Sequence, residues 1–168
     1  REGRTARRPA LPPDGPAMSL VPGDLAPPFA VETTEGAHTL AWLLRDGPLV
    51  LLFYTEDATP TCTAQICGFR DEFATVRDLG ANVLAISADD MDSHRRFAER
   101  QALPFPLAAD PTLDVSRAYY VLGDDGKRSR RAAFVIGTDG RILAANDHYQ
   151  PQDMTQFAQV FEALGLGG

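Results

Sequence analysis

The sequence contains only two cysteines, Cys62 and Cys67, and no stretch that approaches the ~20 consecutive apolar residues of a membrane-spanning helix. So few cysteines exclude the disulfide-rich scaffolds of small secreted domains, and the composition excludes collagen, coiled coils and general disorder. What is present is an average globular mixture, with 44% apolar and 23% charged residues among 168. A chain of this length is expected to form one domain whose core needs no disulfide or metal.

Basic residues are also few: 16 Lys and Arg stand against 23 Asp and Glu, for a net charge of −7. Residues 1–17 contain four of the arginines, so the remainder of the chain is more acidic still. Nucleic acids and anionic membrane surfaces bind through clustered Lys and Arg side chains. We therefore expect neither nucleic acid nor a membrane as a partner.

Residues 1–17 are rich in Arg and Pro and lack the apolar run of about 7–15 residues that a secretory signal requires. The prolines would also break an amphipathic targeting helix. We therefore expect a disordered extension over residues 1–17, one domain over residues 18–168, and a cytoplasmic location. Without export, a pair of cysteines seldom serves as a permanent structural disulfide.

The apolar pattern of the domain predicts an α/β fold. Continuous apolar runs at residues 48–54 and 81–87 are typical of strands buried on both faces of a sheet. Helices are expected over residues 60–80, 91–102, 111–120 and 152–164, and a β-hairpin over residues 132–145 with its turn at residues 138–140. This order implies parallel central strands, an antiparallel pair beside them, and helices on both faces of a mixed sheet.

Cys62 lies near the start of the first predicted helix. Thr59 is expected to be its N-cap and Pro60 its first residue, which places Cys62 third, just beyond the carboxyl end of a buried strand. Ligands bind at that edge of α/β sheets, and the free N–H groups of a helix start favour a thiolate over a thiol. Cys62 also lies on the apolar stripe of the helix, so its position is consistent with a nucleophile and with a buried core cysteine.

Cys67 follows on the outer face of the same helix, turned ~140° away from Cys62. An intact helix would hold the two Cα atoms about 8–9 Å apart, whereas a disulfide requires about 4.4–6.8 Å. The spacing therefore predicts a disulfide that forms only transiently, after the first helical turns unwind.

Metal ligands are scarce in the sequence. The three histidines, His38, His94 and His148, are isolated, and a zinc site would need further Cys or His at ligand spacing. We expect each to be an ordinary surface or capping histidine, with His94 on a charged helix face beside Arg95 and Arg96. The sequence thus predicts no metal and no cofactor.

Three segments, at residues 23–29, 53–63 and 67–71, resemble the peroxiredoxins. Their sequences are GDLAPPF, FYTEDATPTCT and CGFRD, and the C-x4-C spacing on one helix resembles the peroxiredoxin Q group, also called bacterioferritin comigratory proteins. The similarity runs from residue 22 to residue 164. It implies a thioredoxin-like fold and thiol-dependent reduction of hydrogen peroxide and organic hydroperoxides. It also implies recycling by thioredoxin or a similar dithiol, and a chain that is a monomer or weak dimer.

The resemblance also implies roles for individual residues. The matches are Cys62 with the peroxidatic cysteine, Cys67 with the resolving cysteine, Thr59 with the hydroxyl residue of the motif, and Arg131 with the active-site arginine. In this chemistry a thiolate displaces hydroxide or alkoxide from a peroxide, and a fixed guanidinium stabilises the developing charge. The sulfenic acid so formed condenses with the second thiol, and a dithiol reduces the disulfide by exchange. The nearby Arg128 and Arg130 are expected to be solvated charges.

One position departs from the family motif P-x-x-x-T-x-x-C. Thr55 stands where the motif has proline, a residue that shields the thiolate from water. Glu56 and Asp57, if close in space, would oppose thiolate formation. We therefore expect a slower peroxidase reaction or an unusual substrate.

Other functions of the same fold remain open. A thioredoxin-type disulfide oxidoreductase usually has C-x-x-C at the helix start. A copper-delivery protein needs C-x-x-x-C and a distant histidine, for which His148 is available, and neither spacing occurs here. A domain that retained the fold for redox sensing or protein interaction, without catalysis, would be distinguished by a Cys62 of ordinary pKa that fails to react.

Overall fold

The computed structural model describes the backbone of residues 19–167, so the extension predicted over residues 1–17 lies outside the described residues. Within this range the chain forms seven strands and six helices. The strands are β1 (Ala30–Thr33), β2 (Gly36–Thr39), β3 (Leu49–Phe53), β4 (Asn82–Ser87), β5 (Leu107–Ala109), β6 (Ala132–Ile136) and β7 (Ile142–Asn146). The helices are α1 (Leu40–Leu43), α2 (Pro60–Asp71), α3 (Phe73–Asp78), α4 (Met91–Gln101), α5 (Asp114–Ala118) and α6 (Met154–Gly167). None of these described helices has the length and apolar character needed to cross a membrane.

All seven strands belong to one sheet, in the order β2-β1-β5-β4-β3-β6-β7. The central strands β5, β4 and β3 are parallel, and helical segments make the crossovers between them. β6 pairs antiparallel with β3, and β7 pairs antiparallel with β6. The predicted mixed sheet, with a parallel centre and an adjacent hairpin, is confirmed.

The side chains of β3 explain why helices cover both faces of the sheet. Leu49, Leu51 and Phe53 belong to a core shared with α1 and α5. Val50 and Leu52 belong to a second core shared with α2, α3, α4 and α6. All five side chains are fully buried, because alternate residues of a strand point to opposite faces and both faces are covered here.

The β1-β2 hairpin and α1 were not predicted from the sequence. Each strand has only four residues, and burial is confined to Val31 and Thr33 of β1. Gly36, the first residue of β2 after the two-residue turn, has a φ of 110°, a conformation that L side chains rarely adopt. A short and largely exposed edge hairpin leaves no apolar run from which to predict it.

The single helix predicted over residues 60–80 is two helices, so that prediction was wrong. α2 and α3 are separated at Glu72, which has a φ of −103° and a ψ of 14°. The interruption gives the two segments different aromatic partners. Phe69 packs on Phe157 of α6 with 5.0 Å between ring centroids, whereas Phe73 packs on Phe105 at 5.9 Å.

The helix predicted to open at Pro111 begins later, as α5. Leu113, directly before it, has a left-handed φ of 65°. The Asp110 carboxylate accepts hydrogen bonds from the backbone N–H groups of Val115 and Ser116. Asp110 therefore satisfies the free donors at the helix start, and Pro111 lies in the turn before it.

Candidate active site

Cys62 lies where the loop after β3 enters α2. Pro60 is the first residue of α2 and Thr59 precedes it with an extended backbone, so the predicted helix start is confirmed. The Cys62 side chain is fully buried. Its Sγ lies 3.0 Å from the Oγ1 of Thr55, in the loop between β3 and α2. The sulfur is thus hydrogen-bonded to a hydroxyl that the sequence analysis had not assigned to the site.

The pKa of the Cys62 thiol is lowered from its ordinary value. Burial is the largest single influence and raises the pKa, but the hydrogen bonds to the sulfur together outweigh it. The Thr55 hydroxyl leads these, followed by the Thr59 hydroxyl and by backbone groups of Glu56 and Thr55. Since the thiolate is the nucleophilic form of cysteine, this environment favours a reactive sulfur.

Thr59 occupies the N-cap position of α2, but its side chain does not cap the helix. Its hydroxyl donates a hydrogen bond to the backbone carbonyl of Glu56 at 3.3 Å. The position predicted for Thr59 is therefore confirmed, and the predicted side-chain cap is wrong. The hydroxyl fixes the loop before α2 and lies beside the sulfur of Cys62, whose pKa it helps to lower.

Arg131 directly precedes β6 and lines a cavity of about 500 Å³ that Thr55 also lines. The Nε of Arg131 is buried and has no hydrogen-bond partner among the residues that the structure describes. The backbone carbonyl of Arg131 accepts a hydrogen bond from the N–H of Tyr149 at 2.9 Å, which fixes the chain at this point. A buried donor without a partner, on a residue that lines a cavity, suits a polar or anionic ligand.

Arg130, next to Arg131, has a structural role. Its guanidinium is partly buried and donates to the carbonyl oxygens of Tyr120, Leu122 and Asp147 at 2.8, 3.3 and 3.1 Å. The expectation that Arg130 is a solvated charge was therefore wrong. Its donors are engaged by backbone acceptors, and this distinguishes it from Arg131.

The two carboxylates that follow Thr55 are engaged by other groups. Glu56 forms an ion pair with Arg128 at 3.0 Å, and both side chains are exposed, as expected for Arg128. Asp57 is buried among hydrogen-bond donors from α4. Glu56 and Asp57 were predicted to oppose formation of the Cys62 thiolate, but the pKa of Cys62 is lowered overall.

A buried hydrogen-bond network surrounds Asp57 and was not predicted. Its carboxylate accepts hydrogen bonds from Tyr54 at 2.5 Å and Ser93 at 2.8 Å, and lies 2.8 Å from the Nδ1 of His94. Asp89 accepts the backbone N–H of Asp57 at 2.8 Å. Burial raises the pKa of Asp57, but the hydrogen bonds, led by that of His94, lower it overall. The network fastens the loop before α2 to the start of α4.

His94 was expected on a charged helix surface, and this was wrong, because the side chain is fully buried. Its spacing of three residues from the inward-facing Phe97 places the two on one helix face and could have indicated burial. Asp57, Asp89 and His94 each bring one ligand atom within 4.8 Å of the others, as in a small metal site. The hydrogen bonds made by Asp57 to Asp89 and His94 account for their proximity.

Cys67 is partly buried on the outer side of α2, and both cysteines are free thiols. Its Sγ donates a hydrogen bond to the Oε1 of Gln101 at 3.3 Å, and Arg70 donates to the Gln101 carbonyl at 2.9 Å. Burial raises the pKa of Cys67. The outer segment of α2 is thus hydrogen-bonded to the last residue of α4.

The structure brings some of the predicted site residues together and separates others. Cys62 and Thr59 share the start of α2, and Arg131 lines the cavity that Thr55 connects to the sulfur. Cys67 has its hydrogen-bond partner on α4. The direct contact of Thr55 with the sulfur was not predicted, and its one signal in the sequence was the departure from proline at that position.

Comparisons with known proteins agree with these features. The sequence profile of the AhpC/TSA family matches residues 22–145. A chloroplastic peroxiredoxin Q of Sedum lineare is 35% identical over 132 residues, which cover 77% of this chain and 71% of that protein. The chain spans about three fifths of several other plant relatives. A putative peroxiredoxin of Mycobacterium tuberculosis is also 35% identical, over 75% of this chain and 84% of that protein.

A solved structure extends the likeness to the fold. The crystal structure of peroxidoxin BcpB from Mycobacterium tuberculosis superposes with a TM-score of 0.79 at 30% sequence identity. The match covers 86% of this chain and 96% of that chain. The predicted thioredoxin-like α/β fold is therefore confirmed. With the profile match and the named relatives, this shows that the chain belongs to the AhpC/TSA family and, within it, to the peroxiredoxins of the Q group.

Proposed function

We propose that this chain is a thiol peroxidase whose nucleophile is Cys62. The observation that carries the proposal is the position of its sulfur, at a helix start and hydrogen-bonded to Thr55 at the wall of a cavity. Arg131 lines the same cavity with a buried N–H group that no described residue accepts. A nucleophile whose lowered pKa favours the thiolate, and a cation lining the adjoining cavity, are the two groups that peroxide reduction requires.

In the first step the Cys62 thiolate attacks one oxygen of hydrogen peroxide or of an organic hydroperoxide. The S–O bond forms as the O–O bond breaks, and the second oxygen leaves with the bonding electron pair. That oxygen takes up a proton and departs as water or an alcohol, so that Cys62 is oxidised to a sulfenic acid and the peroxide is reduced. Arg131 stabilises the negative charge that develops on the departing oxygen.

In the second step the Cys67 thiol attacks the sulfenic sulfur, water leaves, and a Cys62–Cys67 disulfide forms. Both cysteines lie on the continuous helix α2, which holds their Cα atoms about 8–9 Å apart, so α2 must unwind locally before the two sulfurs meet. Cys67 must also release its hydrogen bond to Gln101. A dithiol then reduces the disulfide by exchange and is itself oxidised. This two-cysteine cycle would make the chain an atypical two-cysteine peroxiredoxin.

Three finer parts of the proposal rest on the resemblance to peroxiredoxin Q. They are thioredoxin as the dithiol reductant, a monomer or weak dimer as the working form, and a cytoplasmic location. Turnover with a purified thioredoxin system, compared with turnover on glutaredoxin or dithiothreitol, tests the first. Sedimentation at several protein concentrations tests the second, and fractionation of the source cells tests the third.

The decisive experiment is titration of the reduced protein with hydrogen peroxide while free thiols and sulfenic acid are followed. We expect rapid oxidation in the wild type, loss of that reaction in Cys62→Ser, and a sulfenic acid that can be trapped in Cys67→Ser. Slow oxidation of both thiols at equal rates would contradict the peroxidase function and favour a non-enzymatic domain. Amide exchange over residues 62–67 should increase on oxidation if the disulfide unwinds α2.

A further inference from the structure

Thr55 provides the hydroxyl that contacts the sulfur of Cys62 directly, although the resemblance assigns the hydroxyl role to Thr59. The Oγ1 of Thr55 is 3.0 Å from the Cys62 Sγ. The Oγ1 of Thr59, in contrast, donates to the carbonyl of Glu56 at 3.3 Å. Two hydroxyls therefore lie near the sulfur, and the one in direct contact with it belongs to the residue that departs from the motif.

Thr55 also joins the buried sulfur to the cavity. Cys62 is fully buried, whereas Thr55 is partly exposed and lines the cavity together with Arg131. A small ligand in this cavity would therefore meet the Thr55 side chain and the Arg131 side chain on its walls. Thr55 thus contacts the nucleophile and also lines the space from which a peroxide would approach.

A proline at this position could not form these contacts. Proline has neither a hydroxyl nor a backbone N–H group, whereas the Thr55 hydroxyl lies 3.0 Å from the Cys62 sulfur. A hydroxyl that donates to a thiolate stabilises its charge, as a charge-assisted hydrogen bond. The substitution therefore adds a hydroxyl donor to the sulfur where the motif residue would exclude water.

We propose that Thr55, which lines the cavity, is a catalytic residue of this chain whose hydroxyl donates to the Cys62 thiolate. The hydroxyl keeps its proton throughout. It orients the charged sulfur in the resting state, and the departing peroxide oxygen takes its proton from solvent. This inference rests on the proposed function of Cys62, and it predicts that the chain tolerates loss of the Thr59 hydroxyl better than loss of the Thr55 hydroxyl.

The test compares Thr55→Val, Thr55→Ser and Thr59→Val, each in the Cys67→Ser background so that one thiol remains. Thiolate absorbance as a function of pH gives the pKa of Cys62, and stopped-flow oxidation by hydrogen peroxide gives its rate constant. We expect Thr55→Val to raise the pKa and to lower the rate constant at neutral pH by roughly tenfold, the effect of one lost hydrogen bond to a charged group. Thr55→Ser should restore both, and Thr59→Val should change them less.

Matched controls make the result unambiguous. Thr75→Val makes the same chemical change at an exposed threonine of α3 and should alter neither quantity. Thermal unfolding of each variant checks the fold, and Thr55→Ala replaces Thr55→Val if the valine is not accommodated. An unchanged pKa in the folded Thr55 variant, or a larger effect from Thr59→Val, would overturn the inference.

Failure of the proposed function would be recognised separately. If the wild-type sulfur does not react with peroxide, the peroxidase proposal fails whatever the variants show. The thiolate titration would still report whether Thr55 holds the sulfur, because it requires no turnover. If peroxide reacts normally and the Thr55 variants match the wild type, only the role of Thr55 is overturned.

Discussion

The segment that carries the two cysteines is fastened to α4 at two places that differ in burial and charge. Before α2, the buried Asp57 carboxylate lies 2.8 Å from the Nδ1 of His94, in the first turn of α4. Farther along α2, Cys67 and Arg70 both donate to Gln101, the last residue of α4. The first attachment is buried and centres on a carboxylate. The second is partly exposed and combines the neutral Cys67 thiol with the charged Arg70 guanidinium, both donating to neutral oxygens of Gln101.

This difference indicates which cysteine moves. Both attachments include a hydrogen bond to a charged group, which contributes about 1.5–3 kcal/mol, but they differ in what is left when they break. Displacing Asp57 leaves the buried groups of Tyr54 and His94 without a partner, whereas water can hydrate the partly exposed Cys67 and Arg70 when they release Gln101. Releasing the outer part of α2 therefore costs less than displacing the loop that holds Thr55 and Cys62. We infer that Cys67 travels toward a stationary Cys62 when the helix unwinds.

Arg131 takes part in neither attachment, and its replacement is expected to have the largest effect, confined to the reaction of Cys62. Arg131→Gln should lower the rate constant for peroxide by about 10²–10³-fold, the usual cost of losing one group that stabilises developing charge. The stability of both attachments should be unchanged. Stopped-flow oxidation and thermal unfolding of the same variant measure the two quantities.

Arg128→Gln is the matched control for Arg131→Gln. Arg128 lines the same cavity, but it is exposed and paired with Glu56, so solvent and its partner screen its charge and the rate should stay within about twofold of the wild type. A large loss from Arg128→Gln with none from Arg131→Gln would show that Arg128, not Arg131, stabilises the departing oxygen.

The sequence predicted the parts of this arrangement that depend on local pattern. β3 is a continuous apolar run because helices cover both faces of the sheet, and its burial followed directly from that run. The start of α2 followed from Thr59 and Pro60, since a proline at the first helical position forgoes no internal hydrogen bond. These features require no knowledge of distant contacts.

The contacts that define the site depend instead on residues far apart in the chain. His94 is buried because its Nδ1 meets Asp57, 37 positions earlier, and nothing in the charged sequence around it indicates that partner. Arg130 is fastened by carbonyls of two different loops, so its sequence neighbours could not distinguish it from Arg131. The hydroxyl of Thr55 turns toward Cys62 only because the loop folds back on the start of α2.

Asp57→Ala is expected to have the second largest effect, a loss of about 3 kcal/mol in the free energy of unfolding. The variant leaves the buried donors of Tyr54, Ser93 and His94 without their acceptor. Asp92→Ala removes an exposed carboxylate of α4 and is the control; it should lower the free energy of unfolding only slightly. Chemical denaturation measures both. Equal effects would mean that the buried attachment is no stronger than a surface ion pair.

The same attachment should depend on pH in a definite direction. The pKa of Asp57 is lowered in the folded protein, so its stabilising contribution is present above the unfolded pKa of about 3.9 and is lost as the pH falls through the folded value. The difference in stability between the wild type and Asp57→Asn should therefore shrink in acid. A difference that grows as the pH falls would contradict a carboxylate that is stabilised by its donors.

Gln101→Ala should have the smallest effect, and in the opposite direction. The variant removes the acceptor of the Cys67 thiol but keeps the backbone carbonyl that accepts from Arg70. The lost hydrogen bond contributes about 1 kcal/mol to holding Cys67 in place, so its loss should speed disulfide formation about fivefold. The preceding oxidation of Cys62 should be unchanged. Quenched samples from a single turnover, analysed by mass spectrometry, separate the two steps, and Glu99→Ala at an exposed position of α4 is the control. If disulfide formation is unchanged or slower in Gln101→Ala, release from Gln101 does not limit the motion of Cys67, and the barrier lies in unwinding α2 itself.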